Sequence, residues 1–262
     1  MKNWARHQWI TYSILFILLV LNFSQSLMVL IYDDLHIQTE QLRLWTILLY
    51  GLILFGSFPV IAVVIRLNQD DLQKLNIDKF YIILFIFAGL SGLYLLPYNF
   101  FAGIALIYLL YILFGGRVIF GVSDRAAPRT ILATVGVCVG VVALKIGFLS
   151  HIAIIDLLGD KQSIRHALTE SIPFAIYEEA VFRGMLYMFL RDLGLNETKT
   201  IYVQAVLFWA KHVNYLISAP LMFWVILPIL SLIYGYIAIR SKSLTSSSIV
   251  HILYNTFVDV IK

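Results

Sequence analysis

Long apolar runs cover most of this chain and limit what it can fold into. Of its 262 residues, 61% are hydrophobic and 13% are charged, whereas a soluble domain is about half apolar and a quarter charged. Inside a bilayer each backbone polar group needs an internal partner, so a spanning chain forms helices or a closed barrel. Because runs of about 20 apolar residues suit helices, we predict an all-α, polytopic transmembrane bundle.

Nine runs are candidate membrane spans, and we predict eight or nine helices. The runs are Trp9–Tyr32, Trp45–Ile65, Phe80–Leu96, Phe101–Gly115, Thr130–Leu149, Ser171–Leu190, Thr200–Ile217, Phe223–Ile239 and Leu244–Ile261. The two runs that flank Pro97–Phe100 are short, so a re-entrant turn there is the alternative. We expect the first run to be a retained helix, because no small-x-small cleavage site follows it. Residues 1–130 then form N-terminal helices of unassigned role, and residues 131–262 form the core that carries the motifs below.

The placement of the basic residues predicts the orientation of these helices. Segments predicted to be cytoplasmic hold 12 of the 19 Lys and Arg residues, and the predicted outer segments hold 4. This asymmetry places the N-terminus in the cytoplasm under the positive-inside rule. The net charge of +4 is small, and the basic residues of the cytoplasmic loops explain most of it. We therefore predict no nucleic-acid partner. The polar, amphipathic stretch Arg66–Lys79 could lie along the membrane interface. We expect it to be a connector, with a gate as the alternative.

Three charged residues interrupt the run Ser171–Leu190. Each charge costs about 2.5–3.5 kcal/mol on membrane-insertion scales, so such residues face a wet cavity or one another and indicate function. Glu179 and Arg183 are four residues apart and share one helix face. Glu178 is rotated by about 100° from Glu179. We therefore predict a Glu179–Arg183 pair beside a polar cavity, with Glu178 left free as a general base.

Two further pairs of residues follow at the same four-residue spacing. Phe208 and His212 lie in one apolar run, and His251 and Asn255 lie in the last. A lone histidine in an apolar helix is usually a packed structural residue. However, a histidine can carry a proton near neutral pH, and an asparagine can donate to a developing oxyanion. The joint pattern on three separate helices therefore favours a catalytic site.

The three motifs resemble those of the CAAX protease and bacteriocin-processing family, also called CPBP or Abi, which is related to type II CAAX prenyl endopeptidases. The resemblance rests on Glu178-Glu179-x-x-x-Arg183, Phe208-x-x-x-His212 and His251-x-x-x-Asn255, and it covers roughly Ser171–Lys262. It implies a multi-pass intramembrane endopeptidase of a bacterial plasma membrane. The expected substrate is a leader peptide, a small membrane protein or a bacteriocin-related peptide. A prenylated substrate is less expected, because the sequence has no recognisable prenyl-binding element.

The resemblance also implies a role for each motif residue. Glu178 and His212 would position and deprotonate the attacking water, and His251 and Asn255 would stabilise the oxyanion. The supporting residues would be Glu179, Arg183 and Phe208. No cofactor is expected, because the spacing is not His-Glu-x-x-His and a protein Asn is a poor zinc ligand. The alternative is a zinc ion held by Glu178, His212 and His251.

Two other functions are compatible with these residues. A non-catalytic membrane protein, for bacteriocin self-immunity or as a scaffold, could use the same cavity for binding. A proton-relaying transporter would predict two related halves, and the sequence has no internal repeat. The partners are therefore predicted to be a peptide or small membrane-protein substrate and the lipid bilayer, with the oligomeric state left open.

The predicted spans place two of the motifs at different depths. Glu178 lies seven residues from the outer end of its span, whereas His251 lies about seven residues from the inner end of the last span. A final helix that starts nearer Ser241, with its Ser-rich turn lining the cavity, would reduce this difference. The side from which the substrate enters is left open.

Overall fold

The computed structural model describes residues 5–37, 39–53, 57–93 and 171–260. The described residues form helices and turns and contain no strand, which confirms the all-α class. The N-terminal helices are α1 (Arg6–Val29), α2 (Glu40–Gly51), α3 (Ser57–Leu67) and α4 (Lys79–Leu93). A π-helical turn, Leu30–Asp34, extends α1, and a 3₁₀ segment, Gln69–Leu75, joins α3 to α4.

The C-terminal region contains six helices. They are α5 (Ile172–Glu179), α6 (Leu186–Asp192), α7 (Glu197–Ala210), α8 (Tyr215–Ser218), α9 (Leu227–Ser241) and α10 (Leu244–Val260). A π-helical turn, Ala180–Met185, joins α5 to α6 without a break, and another, Met222–Ile226, leads into α9. The side chain of Asn196 caps α7 by accepting a 2.9 Å hydrogen bond from the Lys199 amide, which satisfies one amide at the helix start.

Two helices of the described part are long and apolar enough to cross a membrane, Arg6–Asp34 and Met222–Ser241. Much of the apolar surface on these helices faces outward; Phe16, for example, is 68% exposed and Trp224 is 59% exposed. Such a surface suits contact with lipid, since soluble proteins rarely expose large apolar patches.

Several predicted spans differ from the observed helices. Helices α2 and α3 each cover part of the run Trp45–Ile65, and residues 54–56 between them lie outside the described residues. The run Thr200–Ile217 is interrupted after Ala210 by the turn that carries Lys211. The runs Phe101–Gly115 and Thr130–Leu149 and part of Phe80–Leu96 lie outside the described residues. The predicted total of eight or nine spans is therefore not confirmed.

Helix α1 packs along the α5–α6 unit in the opposite direction. Near its start, Tyr12 donates a hydrogen bond to Asp192 at the end of α6. Near its middle, the amide of Asn22 donates a 2.5 Å hydrogen bond to the hydroxyl of Tyr177, beside the paired glutamates. These two polar contacts fix the register of α1 against the helix that carries the first motif.

The segment between α3 and α4 buries several apolar side chains in the protein core, and its position along the membrane interface stays a prediction. Leu72, Leu75 and Ile77 are buried in the core. The buried carboxylate of Asp78 accepts hydrogen bonds from the Tyr81 amide at 2.8 Å, the Thr245 hydroxyl at 2.5 Å and the Ser243 hydroxyl. It therefore caps α4 and also ties this segment to the start of α10.

The insertion of this segment also explains why the predicted difference in depth is wrong. A Cβ atom on Gly184 would lie 3.3 Å from the Leu244 side chain and 3.3 Å from the Leu75 carbonyl oxygen. Helix α10 therefore begins beside the middle of the α5–α6 unit and not at its inner end. At about 1.5 Å per residue, Glu178 is about 9 Å from Gly184, and His251 is about 10 Å from Leu244. The two residues consequently reach the same level.

The Ser-rich turn contributes to packing. Ser246, Ser247 and Ser248 are fully buried, and the walls of the cavity described below come from other residues. The expectation that this turn lines the cavity is therefore wrong. The expected start nearer Ser241 is also wrong, because Ser241 ends α9 and α10 begins at Leu244.

Candidate active site

Two neighbouring carboxylates in the first motif face different surroundings. Glu178 and Glu179 end α5, and their side chains are 8% and 0% exposed. Since adjacent helical residues point about 100° apart, one carboxylate faces a cavity and the other faces packed side chains.

Glu179 forms the predicted ion pair with Arg183. The Arg183 Nη1 atom lies 3.4 Å from Glu179 Oε1, and both side chains are fully buried. The guanidinium carbon lies 4.0 Å from the centre of the Phe208 ring, a position in which the ring face attracts the cation. The other terminal nitrogen of Arg183 donates a 3.4 Å hydrogen bond to the Ser231 carbonyl. This pair is enclosed on all described sides and is part of the core.

His251 lies between the two carboxylates. Its Nδ1 atom is 3.0 Å from Glu179 Oε1, and its Nε2 atom is 3.5 Å from Glu178 Oε2. The Tyr234 ring stacks on the imidazole with a centroid distance of 4.7 Å, and Phe208 packs edge-on at 5.6 Å. Glu179 thus orients the ring of His251 as well as holding Arg183.

Glu178 is paired with Lys211, which corrects the prediction that it is free. The Lys211 ammonium donates a hydrogen bond to Glu178 Oε1 and forms an ion pair with it. Lys211 is 5% exposed and follows the last residue of α7. One oxygen of Glu178 therefore faces an ammonium and the other faces an imidazole.

His212 follows Lys211 and reaches the same cavity. Its Nδ1 atom lies 2.7 Å from the Phe208 carbonyl oxygen. Because a carbonyl can only accept, Nδ1 carries a proton, and Nε2 of the neutral ring is left as an acceptor. The backbone of the second motif thus fixes the tautomer of its own histidine.

A cavity of about 260 Å³ brings these groups together. Its walls include the predicted residues Glu178, Phe208, His212, His251 and Asn255. Other polar residues in the walls are Gln25, Ser26, Ser171, Lys211, Asn214 and Tyr234. The remaining predicted residues, Glu179 and Arg183, lie behind the wall. The cavity can therefore expose a bound peptide to a carboxylate, two imidazoles, an amide and an ammonium.

Part of the chain is similar to a known protein family. Residues 162–257 match the family model described as Type II CAAX prenyl endopeptidase Rce1-like. The chain carries an Rce1-like region. The match confirms the resemblance that the three motifs predict, and it includes all seven predicted site residues. No curated protein and no solved structure matches the chain. At the level of the family, the Rce1-like region indicates a membrane-embedded protease.

The zinc alternative suits the Rce1-like region poorly. Within the described ranges, no three His, Cys, Asp or Glu residues form a group that could hold a metal ion. In addition, the ammonium of Lys211 contacts the Glu178 oxygen that a zinc ion would need. Two cations at one carboxylate oxygen repel each other strongly in a partly dry cavity. The donor set Glu178, His212 and His251 could therefore hold zinc only if the ammonium of Lys211 left Glu178.

Two residues of the site were missed in the sequence. Lys211 was visible as a charge in an apolar run, but no spacing rule connects it with Glu178, 33 residues earlier. Tyr234 lies in an ordinary apolar helix, where a tyrosine gives no functional signal. Both belong to the Rce1-like region, and both contact a predicted catalytic residue.

Proposed function

We propose that this chain is an intramembrane endopeptidase that hydrolyses a peptide bond of a membrane-associated or leader-type peptide. The observation that carries the proposal is the convergence of Glu178, His212, His251 and Asn255 on one cavity. These residues come from the end of α5, the turn after α7 and the middle of α10. Peptide hydrolysis needs an activated water and an oxyanion donor, and these four side chains have the required chemistry.

In the proposed reaction, water is activated between the first two motifs. Glu178 accepts a proton from water through Oε2, the oxygen that does not contact Lys211. The unprotonated Nε2 of His212 accepts the second hydrogen bond of that water and orients its lone pair. Positioning of this kind converts a bimolecular attack into one between held groups.

The last motif stabilises the tetrahedral intermediate. His251 and Asn255 donate hydrogen bonds to the oxygen that becomes negative. Glu179 supports this role, since its contact with Nδ1 at 3.0 Å holds the ring in place. Arg183 keeps Glu179 in place. We propose that the reaction proceeds without a metal ion, which the contact of the Lys211 ammonium with Glu178 supports.

The proposed setting is a bacterial plasma membrane, with several spans and a cytoplasmic N-terminus. The outward apolar faces of α1 and of the helix that ends at Ser241 support contact with lipid. The partners are the bilayer and the peptide substrate.

The first experiment compares wild type with Glu178→Gln in detergent. A panel of quenched peptides, short membrane proteins and prenylated CAAX peptides is offered to each, with and without a chelator. We expect chelator-resistant cleavage by wild type and a loss of about 10²–10⁴-fold in Glu178→Gln, the range for removal of a general base. Glu197→Gln, at an exposed position, is the matched control and should cleave normally.

Other outcomes would change the proposal in defined ways. Cleavage that a chelator abolishes and zinc restores would replace the mechanism but keep the reaction. If neither protein cleaves any substrate, and Glu178→Gln keeps the cellular phenotype, the binding function in bacteriocin immunity or scaffolding would take its place.

A further inference from the structure

The ion pair between Lys211 and Glu178 opposes the role of Glu178 as a base. A general base becomes protonated during the reaction and loses its negative charge. The Lys211 ammonium would then face a neutral acid in a site where it is 5% exposed. A buried charge that loses its partner is strongly disfavoured. The Lys211–Glu178 pair therefore disfavours proton uptake by Glu178, unless another negative charge appears within reach of Lys211.

The reaction itself creates such a charge. When the water oxygen bonds to the carbonyl carbon, the π electrons of the C=O bond move to its oxygen. The water proton passes to Glu178 at the same time. One negative charge thus leaves the carboxylate and appears on the substrate oxygen, and the total charge of the cavity is unchanged.

Lys211 has the geometry to follow this charge. Among the described residues, Glu178 is its one hydrogen-bond partner, so two of its three N–H donors can reach a substrate. Its ammonium lies 5.4 Å from the Phe208 ring centre and 5.8 Å from that of Phe182, so ring faces line its surroundings. Lys211 lies in the turn beyond α7 and carries a flexible side chain at the wall of the 260 Å³ cavity.

We propose that Lys211 is a catalytic residue whose ammonium pairs with Glu178 at rest and with the substrate oxyanion in the tetrahedral intermediate. This inference rests on the proposed function. When the intermediate collapses, the oxyanion re-forms the C=O bond and the C–N bond breaks. The proton on Glu178 passes to the leaving nitrogen, and Lys211 returns to the carboxylate. The cation therefore remains paired at each step.

A purely structural role for Lys211 makes a different prediction. If the lysine only holds Glu178 in place, its removal lowers kcat but leaves the affinity for an anionic tetrahedral mimic unchanged. If it follows the charge, its removal weakens the transition state and leaves substrate binding unchanged. The two roles can therefore be separated by comparing kcat, KM and the affinity for an anionic tetrahedral mimic.

The experiment uses the full chain in detergent and the panel peptide that wild type cleaves fastest. The probe is the phosphinate analogue of that peptide, a stable tetrahedral anion. Lys211→Met should lower kcat by about 10²–10³-fold, as for loss of an oxyanion donor, with KM unchanged. The inhibition constant of the phosphinate should rise by a similar factor. Lys211→Arg should recover part of both losses, and Lys74→Met, on an exposed ion pair, should change neither.

A second measurement does not depend on turnover. Glu178→Gln imitates the protonated base and releases Lys211, so it should bind the phosphinate at least as tightly as wild type does. The double variant Glu178→Gln with Lys211→Met should lose that affinity. This comparison holds even if Lys211→Met alone folds poorly, because the double variant removes both charges of the pair.

The outcomes separate this inference from the proposed function. Absence of cleavage by wild type overturns the proposed function, whereas cleavage that persists in Glu178→Gln overturns the role of Glu178 as the base and keeps the reaction. Cleavage that is lost in Glu178→Gln but kept in Lys211→Met, with unchanged phosphinate affinity, overturns the role of Lys211 alone. A fall in kcat with no change in phosphinate affinity also overturns it, because the lysine would then act on Glu178 and not on the oxyanion.

Discussion

The packed side and the cavity side of the site each contain one buried ion pair, and the two pairs differ in their surroundings. On the packed side, Glu179 and Arg183 are fully buried and belong to one helical unit. On the cavity side, Glu178 and Lys211 come from different helices and are 8% and 7% exposed. The cations also differ: a guanidinium is planar and forms several directed contacts, whereas an ammonium sits on a flexible stem.

This difference separates a structural pair from a functional one. Arg183 contacts a carboxylate, a backbone carbonyl and the Phe208 ring face, so it cannot move without losing several interactions at once. Lys211 faces open volume, so its contact with Glu178 can be exchanged for another. Burial alone therefore does not identify a catalytic carboxylate. The two carboxylates are distinguished by whether the cation paired with each can move to another partner.

The largest effect on stability is expected from breaking the packed pair. Arg183→Gln leaves Glu179 without its main counter-ion in a fully buried position, which should lower the free energy of unfolding by about 3–5 kcal/mol. Thermal unfolding in detergent measures the change. Arg191→Gln, at an exposed position nearby on α6, is the matched control and should change stability by less than about 0.5 kcal/mol.

The double variant Glu179→Gln with Arg183→Gln sharpens this test. It removes both charges and should therefore recover part of the stability that Arg183→Gln loses. If Arg183→Gln unfolds at the wild-type temperature, the Glu179–Arg183 pair does not stabilise the core. The distinction between a structural pair and a functional pair would then be wrong.

A somewhat smaller effect is expected below the packed side, at Asp78. Asp78→Ala leaves the donors of Tyr81, Ser243 and Thr245 without their acceptor. At about 1 kcal/mol or more for each buried donor left unsatisfied, the loss of stability should be about 3 kcal/mol. Thermal unfolding is again the measurement, and Asp70→Ala, at an exposed position in the same segment, is the control.

The activity of the folded fraction decides what Asp78 does. Asp78 is held by neutral donors and lies outside the cavity wall, so cleavage per folded molecule should be unchanged. If Asp78→Ala melts at the wild-type temperature but cleaves poorly, Asp78 takes part in the chemistry of the site and does not stabilise the fold.

The sequence predicts the all-α class and the residues of the three motifs. Apolar runs identify helices because the bilayer leaves few other backbone solutions. The pair Glu179–Arg183 follows from a four-residue spacing on one helix, which is a local property. The shared cavity of Glu178, His212 and Asn255 could be expected only from the resemblance to a family, since the three residues lie on different helices.

The remaining features depend on contacts between distant segments. No local rule connects Lys211 with Glu178, so the sequence predicted that Glu178 has no ion-pair partner. Helix boundaries estimated from hydropathy placed the start of α10 at the inner membrane surface. They could not show that the segment around Leu75 enters the protein and raises Leu244 to the level of Gly184. The depth of His251 therefore depends on tertiary contacts, which the local sequence does not show.

The smallest expected effect tests this close approach with a pair of glycines. Gly184 and Gly235 are both buried in helical segments. A Cβ atom on Gly184 would lie 3.3 Å from the backbone oxygen of Leu75, whereas one on Gly235 would meet its nearest neighbour, the side chain of Ile201, at 3.5 Å. Gly184→Ala should therefore cost about 1 kcal/mol through overpacking. Gly235→Ala should be neutral or stabilise by up to about 1 kcal/mol, because alanine favours a helix over glycine.

The two variants should thus shift the melting temperature in opposite directions. They should also differ in activity: a shift of α10 away from Gly184 moves His251 relative to Glu178, so Gly184→Ala should lower kcat, whereas Gly235→Ala should not. Equal melting temperatures and equal kcat for the two variants would mean that α10 can start at a different level without consequence. The alignment of His251 with Glu178 would then depend on the contact of His251 with Glu179 and Tyr234, and the packed side would set the geometry of the cavity side by itself.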